Sequence, residues 1–253
     1  MVAQSVPLIC HPATPCEAVS SINVQALRRR DAALEILYTV QGRVDRLLIP
    51  AQSPPRRADR LWQHTCFEAF VANPASGRDA SYFEFNFSPS SEWAIYRFSA
   101  YREGMTPLEA APPSISVRRG ATSVTLEAVV DLDAVSALAD GLRLALSAVI
   151  EDAEHRLSYW ALAHPRGKPD FHHAAGFALE LPAGAERRPH PNPPPQAGEG
   201  KLSLDPNRPS LAGEGEPSPN PNPRPLAAEG KPTPDSNPPP LAGEGKGGGK
   251  ESP

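Results

Sequence analysis

Two glutamates, Glu68 and Glu84, are the residues of this sequence whose type and spacing best suit ligand binding or acid–base catalysis. Each occupies a polar position in an alternating segment, CFEAFVA over 66–72 and YFEFNF over 82–87. Alternation with a period of two is typical of strands that bury one face. Two carboxyl groups on neighbouring strands repel each other unless a cation, a proton or the hydroxyl groups of a ligand compensate.

Pairing the segments around their loops predicts which side chains share the polar face. A turn centred on residues 90–91 sets Glu84 opposite Arg97, and a loop centred near residue 76 sets Glu68 beside Glu84. We therefore expect a row Glu68–Glu84–Arg97 across three neighbouring strands. The parity of this assignment is better determined than the exact partners, because a slip of one residue would place the aromatic side chains of these segments in water.

Such a row suits the binding of carbohydrate. Polyols are recognised by planar polar groups that hold several hydroxyls and by an aromatic ring that covers the C–H side of the sugar. The predicted ligand-binding residues are Trp62, Glu68, Glu84, Asn86, Trp93 and Arg97. A charge-balanced outer surface of a sheet would show the same pattern, so the residues leave that alternative open.

The same two carboxyl groups also allow a glycoside-processing enzyme as an alternative. A pair on neighbouring strands would lie about 5 Å apart, which suits a retaining mechanism. However, Arg97 opposite Glu84 would lower the pKa of Glu84 and weaken it as a general acid. We therefore assign no catalytic residue and predict a non-catalytic role.

A possible metal cluster is formed by His164, Asp170 and one of the two adjacent histidines, His172 or His173, near the end of the last aromatic segment. His172 and His173 are adjacent, so on a strand only one of them could join any single site. A loop whose polar groups bind its own backbone explains the same residues. We assign no metal site here.

Composition narrows the class of protein and its partners. The chain is mildly acidic, with a formal net charge of −4, and has no basic stripe with interleaved aromatics, so nucleic acid is not an expected partner. No segment approaches the roughly 20 apolar residues of a membrane span, and no signal-peptide pattern starts the chain. Three cysteines, Cys10, Cys16 and Cys66, match no metal spacing. We expect a cytoplasmic protein with free thiols.

The elements that must position these residues are mostly strands. Alternating segments separated by turn residues predict about nine or ten short strands over the first 180 residues or so, and hence an all-β sandwich. Residues 44–49 are predicted as a return strand after the segment 34–40, and residues 131–140 as a short helix. No glycine-rich phosphate loop follows a strand, which argues against a nucleotide-binding fold.

The C-terminal segment 182–253 differs in composition from the rest. It holds 19 of the 32 prolines and no Phe, Trp, Tyr, Val, Ile, Met or Cys. The motif Ala197-Gly198-Glu199-Gly200 recurs in similar form at 212, 227 and 242, a spacing of 15 residues. Such units have no apolar face to stack, so we predict a disordered proline-rich tail after a domain over 1–181.

Residues 1–181 also resemble a known family. LWQHTCFEAFVAN (61–73), YFEFNFSPSSEWAIYRF (82–98) and LSYWALAHPRGKPDFHHAAGFALEL (157–181) are similar to bacterial DOMON-like domain proteins. That group is similar to family-nine carbohydrate-binding modules and to the DOMON domains of cellobiose dehydrogenase and dopamine β-monooxygenase. The resemblance implies an immunoglobulin-like or jelly-roll sandwich of ten or eleven strands whose ligand is a sugar or haem.

The sugar-binding side of this superfamily has two motifs that the sequence matches in part. The matching positions are Trp62, Glu68, Phe70, Tyr82, Glu84, Phe85 and Pro89. His64-Thr65 stands where the family has an acidic pair, which removes any ligand contact those acids would supply. The haem-binding side uses a methionine and a histidine as axial ligands. If the ligand were haem, the resemblance would assign Met105 and His172, giving a haem-binding electron-transfer domain as the alternative function.

Overall fold

A computed structural model gives the architecture of the chain. The structure describes residues 3–182, except residues 30, 76, 78, 79, 134 and 136–140. The predicted tail over 182–253 lies outside the described residues, apart from Pro182 at its start. The predicted helix over 131–140 also falls mostly outside them. Within the described part of the chain, no helix is both long enough and apolar enough to cross a membrane.

The described residues form thirteen strands. In chain order these are β1 (Gln4–Cys10), β2 (Val19–Arg28), β3 (Ala33–Gly42), β4 (Arg56–Arg57), β5 (Cys66–Ala72), β6 (Tyr82–Phe87), β7 (Glu92–Phe98), β8 (Thr106–Pro107), β9 (Ser114–Arg119), β10 (Ser123–Asp131), β11 (Gly141–Glu151), β12 (Leu157–Ala161) and β13 (Leu179–Pro182). Short 3-10 helices span Val44–Arg46, Leu61–Gln63 and Ala174–Gly176. The prediction of a strand over 44–49 is wrong, because its first residues form one of these helices.

The strands form two sheets that share β1. The first sheet has the order β1-β2-β3-β10-β9, and the second has the order β4-β7-β6-β5-β11-β12. Residues 4–8 of β1 pair with β2, and residues 9–10 pair with β12, so this strand crosses from one sheet to the other. β13 pairs with the first half of β11, and β8 pairs with β7. The predicted all-β sandwich is confirmed.

The main core lies between the two sheets. Alternating residues of β3 and β10 in the first sheet face alternating residues of β5, β6 and β11 in the second. The ring centroids of Tyr38 and Phe67 lie 4.9 Å apart across this interface. The Tyr38 hydroxyl also donates a hydrogen bond to the Glu68 carbonyl oxygen at 2.7 Å, so one residue of β3 is tied to β5 by packing and by a polar contact.

The outer face of the second sheet carries a second, smaller apolar cluster. It includes Phe70, Tyr82, Tyr96, Phe98, Tyr159 and Phe171, with Trp62, Met105 and Phe177 packed against its margin. Every residue of β5 is therefore buried, on both faces of the strand. The alternating pattern predicted a polar outer face, and the structure covers that face with loops instead of leaving it in water.

Candidate functional site

The polar side chains of the second sheet converge on its outer face in one line across the strands. The register pairs Asn86 with Ala94, Glu68 with Asn86, Ser147 with Glu68 and Ala161 with Ser147. We call these five residues the polar row. Glu84 lies on the same face, two residues before Asn86 on β6. The outer face thus brings together three predicted site residues, Glu68 and Asn86 in the polar row and Glu84 beside it.

A short chain of hydrogen bonds links these groups. The Asn86 amide donates to Glu84 Oε1 at 2.7 Å, and the Ser147 hydroxyl donates to Glu68 Oε2 at 3.3 Å. The Cys66 thiol approaches Asn86 Oδ1 at 3.7 Å. Glu68 is only 3% exposed and Glu84 only 6% exposed. Both carboxyl groups are therefore removed from water with few polar partners among the described residues.

Burial and proximity change the ionisation of both glutamates. Burial raises the pKa of Glu68 well above its usual range, and the nearby charge of Glu84 raises it further. Burial also raises the pKa of Glu84 to about 7, although the Asn86 hydrogen bond and the Arg102 charge act in the opposite direction. The pair can therefore hold or release a proton near neutral pH, so the face can offer both donors and acceptors.

A hydrogen-bonded cluster on the loops covers the Glu84 end of the site. Arg102 Nη2 donates to Asp170 Oδ1 at 2.8 Å, and the Tyr101 hydroxyl contacts the other oxygen of Asp170. The Tyr82 hydroxyl lies 2.8 Å from His172 Nδ1, while His172 Nε2 lies 3.9 Å from Glu84 Oε2. Burial lowers the pKa of His172 to about 3, so its ring is neutral at physiological pH.

A second polar cluster, formed by Arg57 of β4 and Asp59 after it, lies beside Tyr96, the residue that pairs with Glu84 in the register. The Tyr96 hydroxyl donates to Asp59 Oδ1 at 2.5 Å, and Arg57 forms an ion pair with the same carboxylate at 3.0 Å. The Arg57 guanidinium also lies 5.5 Å from the centroid of the Tyr96 ring. The hydrogen bond from Tyr96 holds the pKa of Asp59 below its usual range.

Two of the predicted site residues lie on the opposite face of the sheet. The register pairs Glu84 with Tyr96, and Phe83 with Arg97. The prediction that Arg97 faces Glu84 is therefore wrong. Trp93 shares the inner face with Phe87 and is buried in the main core, whereas the Arg97 side chain is exposed.

The length of the hairpin loop explains this error. The Ser88 amide donates to the Glu92 carbonyl oxygen at 2.9 Å, which leaves a loop of three residues, Pro89-Ser90-Ser91. Ser91 adopts a left-handed backbone with φ of 75°, as the last residue of a three-residue hairpin loop often does. A turn centred between residues 90 and 91 implies a loop with an even number of residues. A loop that differs by one residue places every side chain of β7 on the opposite face of the sheet.

The loop between β5 and β6 also differs from the prediction, but this difference leaves the face of each side chain unchanged. The predicted pair Glu68–Glu84 is replaced by Glu68–Asn86, a shift of two residues. Because a shift of two preserves parity, both glutamates and Asn86 stay on the same face. Trp62 is half-buried in the 3-10 helix Leu61–Gln63 and packs against the outer cluster.

The residues proposed as haem ligands do not fit that role. Met105 and His172 both belong to the outer cluster or its margin. However, the His172 ring lies between Phe70 at 4.9 Å and Phe98 at 5.1 Å, and its two nitrogens face Tyr82 and Glu84. An axial ligand needs one imidazole nitrogen directed at the iron, and this ring offers none.

The described residues also form no metal site. They contain no group of three or more His, Cys, Asp or Glu side chains placed to hold one. His164 Nε2 bonds to the Ile9 carbonyl oxygen at 2.8 Å, and Asp170 is occupied by Arg102 and Tyr101. The unusual His64-Thr65 pair has a structural role, because Thr65 Oγ1 joins the backbones of Leu48 and Glu151.

The Cys66 thiol should be unreactive in the folded protein. It is fully buried, and burial together with the charge of Glu68 raises its pKa well above the usual range. Cys10 and Cys16 are half-buried and free. With a thiol-specific reagent we expect these two to react in the native protein, and Cys66 to react only as the chain unfolds. A third thiol that reacts at the same rate in the native chain would contradict the buried position of Cys66; a Cys66→Ser variant identifies its phase.

Several residues of the site were missed by sequence reasoning. Ser147 is the one polar residue in the apolar run Leu144–Ile150, a signal that could have identified it. Tyr159 lies on the outer face, 8% exposed, next to the polar row. Arg102 and Asp170 lie in loops 68 residues apart in the chain, and no local pattern links them.

Two of the solved structures that are similar to this chain are carbohydrate-binding modules. One is a family-nine carbohydrate-binding module from Caldicellulosiruptor kristjanssonii in complex with glucose, 14% identical, with a TM-score of 0.39 over 73% of this chain and 88% of that one. The other is such a module from the same organism in complex with cellotriose, 14% identical, with a TM-score of 0.37 over 65% of this chain and 75% of that one. No family model and no curated protein matches the chain. Similarity at this level carries no argument about a ligand of this chain.

Proposed function

We propose that this chain is a non-catalytic module that binds a carbohydrate or a sugar-derived metabolite. The ligand would lie on the outer face of the second sheet, around Glu68, Glu84 and Asn86. One observation carries the proposal: two carboxyl groups and a carboxamide share one buried face. The register pairs Glu68 with Asn86, and the Asn86 amide donates a hydrogen bond to Glu84. These groups supply the planar donors and acceptors that polyols require.

The small side chains of the polar row support this location. Ala94 and Ala161 stand at its two ends, Ser147 lies next to Glu68, and Ala145 lies two residues before Ser147 on the same face. A row of short side chains leaves the polar groups of longer neighbours within reach of a bound molecule. Larger residues at these positions would fill the same space.

Aromatic rings border the polar row on both sides. Tyr96 and Tyr159 are each less than 10% exposed, and the half-buried Trp62 packs against the margin of the same cluster. Such rings offer a face to the C–H side of a sugar. The 3-10 helix that carries Trp62 has no side-chain cap, and Arg60 before it has a left-handed backbone. We propose that a ligand enters by displacing this turn.

Titration of the full-length chain with a panel of mono- and oligosaccharides tests the proposal, with binding measured by calorimetry and by tryptophan fluorescence. We expect Glu68→Gln and Asn86→Ala to weaken binding about 10-fold or more, because the first replaces a carboxyl acceptor by an amide donor and the second removes the carboxamide that the ligand uses. The matched control is Glu17→Gln, which removes an exposed carboxyl group and should leave the affinity unchanged.

Two results would count against this location. One is a panel in which no saccharide binds, and the other is binding that survives both substitutions at the polar row. In either case the buried polar row would have a role in folding only. The membership of residues 1–181 in the DOMON-like group and the cytoplasmic location stay predictions of the sequence.

A glycoside-processing enzyme is the second candidate, and one observation favours it. The sequence argued against a catalytic Glu84 because Arg97 would lower its pKa, but Arg97 lies on the other face and burial raises the pKa of Glu84 to about 7. A carboxyl group in this range can serve as a general acid beside a second carboxyl group. Turnover of aryl glycosides that is abolished in Glu84→Gln would favour the enzyme, and its absence would favour the binding module.

A further inference from the structure

Two of the three cysteines lie at the ends of one short loop. Cys10 is the last residue of β1, and Cys16 follows it after the sequence HPATP (11–15). Both side chains are half-buried and free, and both pack against the margin of the main core. The loop between them is exposed at residues 12, 13 and 15, so a small reagent in solution can approach it.

The composition of the loop turns the chain back on itself. The Thr14 amide donates to the His11 carbonyl oxygen at 3.0 Å, which closes a turn with Pro12 at its second position. Proline favours that position because its ring fixes φ near the value that such a turn requires. The turn therefore agrees with the local preferences of the chain, and it brings the residues after it towards the end of β1.

The Cys10 thiol points into this turn, towards Cys16. Its sulfur lies 3.4 Å from the Thr14 carbonyl oxygen and 3.8 Å from that of His11. Burial raises the pKa of the Cys10 thiol, and the backbone N–H of Cys16 is close enough to act in the opposite direction. A disulfide needs Cα atoms within about 7 Å and side chains that face each other. A sulfur this close to the backbone of the second cysteine reaches that geometry through side-chain rotation.

We propose that Cys10 and Cys16 form a reversible dithiol–disulfide pair, a modification site that closes the loop 10–16 in the presence of a disulfide oxidant. The oxidant is the disulfide of a small thiol, such as glutathione disulfide. The Cys16 thiolate attacks one sulfur of the oxidant and releases one small thiol, which leaves a mixed disulfide on Cys16. Cys10 then loses its proton and attacks the Cys16 sulfur, which releases the second small thiol. The two cysteines together lose two electrons and two protons, and the oxidant is reduced to two thiols.

The surroundings of Cys10 make it the second nucleophile. Its thiol donates to two backbone carbonyl oxygens, and burial disfavours its thiolate, which is the form that attacks a disulfide. Cys66 takes no part in the folded protein, since it is fully buried within β5. The pair at the loop is therefore chemically separate from the third thiol.

Closure of the loop acts on the neighbouring strand β12. The His11 amide donates to the Tyr159 carbonyl oxygen at 2.8 Å, and the Tyr159 amide donates to Thr14 Oγ1 at 3.3 Å. The loop thus extends the pairing of β1 with β12 beyond the end of β1. A cross-link from residue 10 to residue 16 removes conformational freedom from the unfolded chain. We expect oxidation to raise the melting temperature by about 5 °C.

The test incubates the folded full-length chain with glutathione disulfide and follows the intact mass, the tryptic peptides and the melting temperature. Tryptic peptide 1–28 contains both cysteines and excludes Cys66. We expect this peptide to lose the mass of two hydrogen atoms and to regain it with dithiothreitol. Cys66→Ser is the matched control and should behave as the parent chain does, because it retains the pair. Cys10→Ser should keep one glutathionyl group on Cys16, since the second attack is then impossible.

Three results would overturn the inference, and the unmodified chain alone can give each of them. The first is a glutathionyl group that stays on either cysteine of the parent chain without closure of the loop. The second is a dimer of the chain linked through these cysteines, and the third is the persistence of both thiols under conditions that oxidise dithiothreitol. The carbohydrate-binding proposal involves neither cysteine, so it stands or falls independently of these outcomes.

Discussion

Replacing Phe67 by alanine should lower the free energy of unfolding by about 3–5 kcal/mol. The Phe67 ring is fully buried between the two sheets, on a strand that is buried on both faces. It packs against Tyr38 at 4.9 Å, next to the hydrogen bond from Tyr38 to the Glu68 carbonyl oxygen. The substitution therefore opens a cavity at the point where β3 and β5 are joined, and the surrounding strands cannot close it without breaking their ladders.

Urea unfolding monitored by tryptophan fluorescence measures this loss. Ile9→Ala is the control, because Ile9 is 56% exposed and its truncation should cost less than about 0.5 kcal/mol. A loss below about 1 kcal/mol for Phe67→Ala would mean that Phe67 does not lie in the core between the sheets.

The stability of the parent chain should fall relative to that of Glu84→Gln as pH rises from about 5 to about 8. The comparison with the variant isolates Glu84, because His172, whose pKa is lowered to about 3, stabilises the fold as pH rises to about 6.5 and offsets part of the fall. A carboxyl group whose pKa is raised on folding stabilises the native state fully below its unfolded pKa, near 4.3. That stabilisation is lost as pH rises through the folded value, which for Glu84 is about 7. The difference amounts to about 3 kcal/mol for Glu84, and Glu68 acts in the same direction.

The Glu84→Gln variant should therefore be more stable than the parent chain at about pH 8, by up to about 3 kcal/mol, and close to it at about pH 5. The glutamine oxygen can still accept the hydrogen bond from Asn86, so the packing is preserved. Substituting both Glu68 and Glu84 by glutamine should flatten the profile further. The window stops at about pH 5 because two aspartates lose stabilisation in more acidic solution. The pKa of Asp152 is lowered by its hydrogen bond with Arg156, and that of Asp170 by its hydrogen bond with Tyr101 and by the charge of Arg102.

Unfolding free energies at several pH values, with Glu17→Gln as the control for the loss of one charge, give the comparison. A difference between the parent chain and Glu84→Gln that stays constant over this window would show that Glu84 is hydrated in the folded state. The same conclusion would follow if Glu84→Gln destabilised the protein equally at both ends of the window.

Predictions from local patterns succeeded where one strand was concerned. Alternation placed Glu68, Glu84 and Asn86 on a common face, and the structure brings them together. The same alternation placed Phe67 and Phe85 in the core, and both are buried there. Each of these conclusions depends only on the period of two within a strand, which the chain itself imposes.

Predictions that required a loop conformation were less successful. The sequence predicts a loop with an even number of residues between β6 and β7. The loop has three residues instead, and the last of them, Ser91, adopts a left-handed backbone. Trp93 and Arg97 therefore moved to the inner face of β7, and Tyr96 took the position opposite Glu84. The positive φ of Ser91 accompanies this loop length, and no composition rule predicts it because serine rarely adopts a left-handed backbone.

The sequence by itself determined the class of fold, the strands that carry the site and the parity of its two carboxyl groups, since these follow from hydrophobic periodicity. Only the tertiary structure decided that the polar face is covered. The loops that bear Trp62, Arg102 and His172 fold over the second sheet and remove Glu68 and Glu84 from water. Such coverage depends on contacts between residues distant in the chain. Because of this coverage, the two glutamates that the sequence pattern places on a solvated face are buried and have raised pKa values.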